Sequence, residues 1–206
     1  MRPVLVTAGA TRNPVDAIRY LSAASTGRTG FIVADGLAAL GHQVHVLASE
    51  EAALRTQRGR SVSVFGSTRD LQARMKAWLV HNPEALVIHS AAVGDYEVEA
   101  AAHKLPSQQE ELILRLTPAP KILDGLRAWA PSSRIVSFKA ASPETDPDSL
   151  VALARRQLLR TGSSLVFANV IGRLADSATL VSEAGAQSYS DRMQALAALV
   201  TAASAL

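Results

Sequence analysis

The stretch Val4-Leu5-Val6-Thr7-Ala8-Gly9-Ala10-Thr11-Arg12 decides how this chain is read: an apolar strand runs straight into a small-residue loop. A second such loop, Ser25-Thr26-Gly27-Arg28-Thr29-Gly30, stands directly ahead of the helical pattern Phe31 to Leu40. Two loops of this kind before the first long helix put backbone N–H groups, hydroxyls and the Arg28 guanidinium where a phosphate can sit. The pattern is neither GxGxxG nor GxxxxGK[ST], so it hints at a nucleotide site through its chemistry and not through a fingerprint.

Outward from there, Gly41 ends the helix as a C′ residue and Val44 to Ala48 is the next strand, which makes the opening a βαβ unit of a parallel sheet. Val62 to Phe65 is a third strand, Ser67 or Thr68 caps a helix from Asp70 to Val80, and Ala85 to His89 is a buried fourth strand. Later strands fall at Arg134 to Lys139, Ser164 to Ala168 and Thr179 to Ser182, with helices over Leu150 to Arg160 and Ser190 to Leu199. The pattern predicts an α/β fold: an open, mostly parallel sheet with flanking helices, built as one domain over 1–206. Residues 97–118 break the alternation and read as a flap or hairpin insertion, with Leu112 to Leu116 as its strand.

Composition narrows the function classes. Aromatic residues make up 4% of the chain against 48% hydrophobic, which favours close packing by small aliphatic side chains. The net charge of +3 and the basic stretch Arg55 to Arg60, free of aromatics, read as a solvated surface and not a nucleic-acid patch. Cysteine is absent, which removes disulfides and thiolate chemistry within the chain. His42, His45, His81, His89 and His103 form no compact metal pattern, and Ser90 lacks a GxSxG elbow. Without a long charge-free apolar run or a cationic leader, the expectation is a cytoplasmic protein with no membrane partner.

Ser90-Ala91-Ala92-Val93-Gly94-Asp95-Tyr96 follows the fourth strand, at the carboxyl end where open α/β sheets place their ligands. Taken in order, Thr7 to Arg12 with Pro14 and Asp16, Arg19 to Ser22, Ser25 to Gly30, Ala91 to Tyr96, Lys104-Leu105, Ser137-Phe138-Lys139 and Ala168-Asn169 resemble phosphopantothenoylcysteine synthetase. The resemblance implies a Rossmann-like domain that dimerises and joins 4′-phosphopantothenate to cysteine in coenzyme A synthesis. The carboxylate would be activated by CTP or ATP with Mg²⁺, and the cysteine amine would displace the nucleoside monophosphate.

On that resemblance Lys104 is the triphosphate-facing catalytic cation on a closing flap, and Arg19 steadies the acyl intermediate. Gly9, Ser25, Thr26, Gly27 and Arg28 form the phosphate seat, with Arg28 where the family usually has lysine. Ala92 offers backbone groups to the base, Asp95 touches ribose, base or a metal, Phe138 lies beside the base, and Asn169 completes the set. No metal ligand is assigned. The chain departs from the family at Ala23, where an asparagine would hold the acyl carbonyl; loss of such a donor costs about 3 kcal/mol. Further departures are Ala119-Pro120-Lys121-Ile122, Gln157, Arg160, Ser164 and the shifted Glu144-Thr145 pair. Rival readings are a diverged paralogue acting on another carboxylate and amine, a catalytically silent nucleotide-binding protein, and a nicotinamide-dependent reductase. The last lacks both GxGxxG and an acidic residue directly ending the second strand.

Overall fold

The computed structural model describes residues 2–54, 60–108, 110–173 and 177–206; most of the basic stretch at 55–60 therefore lies outside the described residues. In chain order the elements are β1 (Pro3–Ala8), β2 (Arg12–Pro14), β3 (Tyr20–Ser22), α1 (Arg28–Ala39), β4 (Gln43–Ser49), α2 (Glu50–Ala53), β5 (Ser61–Phe65), α3 (Thr68–His81) and β6 (Leu86–His89). They continue with β7 (Tyr96–Glu97), β8 (Thr117–Pro118), α4 (Ile122–Trp129), β9 (Arg134–Ala141), α5 (Pro147–Thr161), β10 (Leu165–Val170), β11 (Ala178–Ser182), β12 (Gly185–Tyr189) and α6 (Arg192–Ser204).

The main sheet has the order β12-β11-β10-β9-β6-β1-β4-β5. From β5 to β10 all neighbours are parallel, and β11 and β12 add an antiparallel edge. β1, β6 and β10 are covered on both faces, which is why they read as continuous apolar runs instead of alternating ones. Helices α1 and α6 cover one face through Phe31, Leu37, Leu196 and Leu199; α3 and α4 cover the other through Leu71, Met75, Ile122 and Leu126. Chain order reverses between β1 and β6, so their carboxyl ends form the switch point where such sheets hold ligands.

Several boundaries differ from the sequence expectation for local reasons. Helix α1 begins at Arg28, because Gly27 takes a left-handed turn (φ 75°) and Gly30 lets the first turn lie against Ala8 and Ser90. Helix α5 begins at Pro147, where Asp146 accepts from the Ser149 N–H at 2.9 Å. β10 runs on to Val170, so Asn169 sits inside the strand. The expected strand at Leu112 to Leu116 is not formed, because no neighbouring strand pairs with it; β7 and β8 close the insertion with a two-residue ladder. Leu112, Ile113 and Leu116 are left 44%, 80% and 46% exposed.

Candidate ligand site at the switch point

Three expected site residues meet where the loops after β1 and β6 join. The Ala92 N–H donates to the Gly9 carbonyl at 2.8 Å, and the Thr11 N–H returns to the Ala92 carbonyl at 3.1 Å. Gly9 has φ +94°, and a Cβ there would come within 2.1 Å of Ser49 Oγ; a Cβ on Gly27 would come within 2.7 Å of Ala52 Cβ. Protein neighbours at the β4–α2 corner, then, are what require these glycines.

Beside this junction two helices present the same end. α1 and α6 run parallel: Gly36 packs on Val200, and His42 Nε2 reaches Ser204 Oγ at 2.8 Å at their carboxyl ends. At their amino ends Arg192 Nη2 donates to Thr29 Oγ1 at 3.1 Å. The two amino ends thus stand side by side, that of α6 capped by Asp191, whose carboxylate accepts from the Gln194 N–H at 2.8 Å. α1 has no side-chain cap, and Ser25 Oγ and Thr26 Oγ1 reach only the Gly27 and Arg28 N–H groups, at 3.4 Å. The Arg192 guanidinium lies 5.2 Å from the centre of the Phe167 ring, and burial lowers its pKa. Its Nη1 is buried without a hydrogen-bond partner, as is Nδ2 of Asn169, a residue only 6% exposed. Neither Arg192 nor Arg28 has an ion-pair partner among the described residues.

A cavity of about 450 Å³ opens over the ends of β6 and β9, lined among others by His89, Val93, Asp95, Lys121, Phe138 and Arg160. Phe138 joins it to the helix ends, since its ring lies 5.3 Å from that of Phe167. Gln157, one of the departures from the family, fixes this strand by donating to Ser137 Oγ at 2.9 Å and to the Phe138 carbonyl at 3.1 Å. Two ion pairs cross the rim, Asp95 with Lys121 and Asp124 with Arg160.

The base of the insertion is tied down by Asp16. Its carboxylate accepts from the Leu105, Ile18 and Arg19 N–H groups at 2.7 to 2.9 Å and pairs with Arg19 Nη1 at 2.8 Å. The Leu105 N–H, foremost among these donors, holds the Asp16 pKa below the usual carboxylate range. Arg19 Nη1 also reaches the Leu105 carbonyl at 3.3 Å, next to Lys104.

The structure thus gathers Gly9, Gly27 and Ala92 at the loop junction, with Ser25, Thr26 and Arg28 exposed around the start of α1. Asp95 and Phe138 share the cavity, and Asn169 lies two residues beyond Phe167 along β10. Lys104 is exposed and makes no hydrogen bond or ion pair among the described residues; Ala23 is exposed as well. The sequence pattern assigns no site role to Arg192, His89 or Asp16. An Asp-Arg pair opening the last helix was the available signal for Arg192.

A doubly wound, mostly parallel sheet with donors gathered at its switch point defines an open α/β protein of the kind that holds ligands at that place. More particularly, the chain belongs to the family described as the DNA/pantothenate metabolism flavoprotein C-terminal domain, whose model matches residues 1–198. It is 33% identical over 168 residues to the coenzyme A biosynthesis bifunctional protein CoaBC of Thermococcus kodakarensis, covering 82% of this chain and 41% of that protein. The chain spans about two fifths of the length of the curated relatives it matches. Among solved structures, the DNA/pantothenate metabolism flavoprotein from Streptococcus pneumoniae superposes with TM-score 0.87 at 24% identity, over 100% of this chain and 99% of that one. A Cab2 mutant in complex with phosphopantothenate-cysteine gives 0.78 at 22%, over 99% and 88%; likenesses at these identities carry the fold alone.

These findings correct the expectation from resemblance. The family shown is described as part of a flavoprotein and not as a nucleotide-dependent ligase. The synthetase assignment, the ligase reaction through an acyl-nucleotide, and CTP or ATP with Mg²⁺ as cofactors are withdrawn. Asp95 stands at the cavity rim, with its Oδ1 paired to Lys121. Among the described residues no group of three or more His, Cys, Asp or Glu side chains could hold a metal ion.

The family description implies a flavin, and the cavity beside Phe138 does not fit one. An isoalloxazine needs a flat apolar slot, whereas this cavity is rimmed by two ion pairs, and among the described residues lining it only Phe138 and the His89 imidazole carry aromatic rings. Phe65 and Phe167 are buried in the core, and Tyr20 and Tyr96 are exposed on the outer hairpins. No helix among the described residues is long and apolar enough to cross a membrane.

Proposed function

We propose that this chain is a coenzyme A pathway domain that binds a 4′-phosphopantothenoyl compound at the switch point, with its phosphate on the uncapped amino end of α1 beside the Arg192 guanidinium. The observation that carries this reading is the pair of buried, unpartnered donors, Arg192 Nη1 and Asn169 Nδ2, beside a helix end that lacks a side-chain cap. A half-buried guanidinium without a carboxylate is costly, and an anion offsets that cost. A phosphate supplies both the charge and the acceptor oxygens. Gly27, Arg28, Ser25 and Thr26 surround this seat, and Gly9 and Ala92 hold the junction behind it. The phosphopantothenate-cysteine named for the Cab2 complex is a compound of this class.

Arg192, Phe167 and Phe138 form a relay of two 5 Å steps from the helix ends to the cavity. The buried Phe167 ring thus packs between the Arg192 guanidinium and the cavity wall at Phe138, so the proposed phosphate seat and the cavity lie at neighbouring strand ends. Lys104 and Arg19 flank the insertion, where a closing flap brings cations over the bound molecule. The exposed Leu112, Ile113 and Leu116 support a homodimer in which a second copy covers them.

Thermal denaturation tests the reading. Phosphopantothenate-cysteine at saturating concentration raises the melting temperature, and inorganic phosphate does so weakly at much higher concentration. No shift with either contradicts it.

A further inference from the structure

His89 ends β6, is 6% exposed, and was given no role by the sequence. Its Nδ1 lies 3.0 Å from Thr7 Oγ1, and that hydroxyl also accepts the Ala91 N–H at 3.1 Å. The hydroxyl accepts from Ala91 and donates its own O–H to Nδ1, which makes Nδ1 the acceptor and leaves the proton of the neutral ring on Nε2. Burial lowers the ring's pKa to about 4, so it stays neutral at pH 7. Nε2 has no partner among the described residues, and the ring lines the cavity with Ala91, Val93, Ile122, Leu123 and Phe138.

We infer that His89 is a specificity-determining residue whose Nε2–H is a fixed donor for an uncharged acceptor, the carbonyl oxygen of an amide, at the floor of this cavity. The choice of an uncharged group follows from the charges around it. The cations nearest the cavity, Lys121 and Arg160, are each engaged by a carboxylate at the rim, Asp95 and Asp124. With both cations already paired, an anion beside the neutral ring would find no free charge to offset its desolvation. An amide carbonyl carries no charge to desolvate and accepts from a donor that no described residue engages. The pantothenoyl arm carries amides at some distance from its phosphate, so this inference rests on the proposed function and adds the group read at the far end.

The test is calorimetric titration of phosphopantothenate-cysteine into the wild-type protein, His89→Leu and His89→Gln, with ¹⁵N NMR of the wild-type imidazole. The expected result is about tenfold weaker binding for His89→Leu and recovery within about threefold for His89→Gln, whose amide restores a donor. In the free wild-type protein Nε2 carries the proton, and its resonance shifts on binding. Wild-type binding that His89→Leu leaves unchanged, or a proton on Nδ1, overturns the inference while the proposed function stands. Failure of the wild-type protein to bind the compound overturns the proposed function, and this assignment with it. The NMR measurement needs no variant, so it decides the tautomer even where His89→Leu unfolds.

Discussion

Arg192 Nη2 donates to Thr29 Oγ1 at 3.1 Å, joining the first turn of the last helix to the first turn of the first one. The bond holds a guanidinium at two helix amino ends while its Nη1 stays buried and unpartnered. Replacing Arg192 with Ala is expected to weaken phosphopantothenate-cysteine by about 10- to 100-fold, the usual worth of a charge-assisted hydrogen bond. Competition binding checks it, with the loss confined to the phosphorylated ligand.

Asp16 fastens the insertion through the Leu105 N–H, so Asp16→Ala is expected to free the flap before it unfolds the sheet. Limited proteolysis reads this as roughly tenfold faster cleavage within 98–116, with the core intact. The folded Asp16 has a depressed pKa, so its contribution is complete above the unfolded carboxylate pKa. Acid removes it as the pH falls through the lower, folded value.

His89 acts in the same direction over a higher pH window. Its folded pKa of about 4 lies below the ordinary 6.5, so the unfolded chain takes up the proton more readily. Stability is complete above about pH 6.5 and falls by about 3 kcal/mol toward pH 4. Urea melts across this window are expected to show that slope in the wild type and a flatter profile in His89→Gln.

Gly9→Ala meets both a left-handed backbone and the Ser49 side chain, with a cost of about 3 kcal/mol. Ser49→Ala does not rescue it, because the Ser49 Cβ itself would lie 2.7 Å away. Denaturant midpoints of the single and double variants check the claim.

The sheet was legible because its strands are buried on both faces and keep their apolar runs, and because Gly41 and Gly162 mark two helix ends with left-handed backbone. The hairpins β2–β3 and β11–β12 were harder: three-residue strands such as Arg12–Pro14 carry no periodicity, and Gly185–Tyr189 is polar enough to read as loop. At the site, the Gly-rich loops could be read from sequence, whereas Arg192 and Thr29 lie 163 residues apart and meet only because α1 and α6 pack parallel. His89 was hidden because a histidine ending an apolar strand has the pattern of core. The chemistry expected from resemblance did not survive comparison with the family shown, since short motifs locate a cleft more securely than they name a reaction.

The most direct test is a pair of calorimetric titrations, phosphopantothenate-cysteine against the same compound without its phosphate. If the amino end of α1 and Arg192 seat the phosphate, the phosphorylated compound binds at least about tenfold more tightly, and Arg192→Ala brings the two together. Equal affinity for both compounds in the wild-type protein, or binding of neither, contradicts the account.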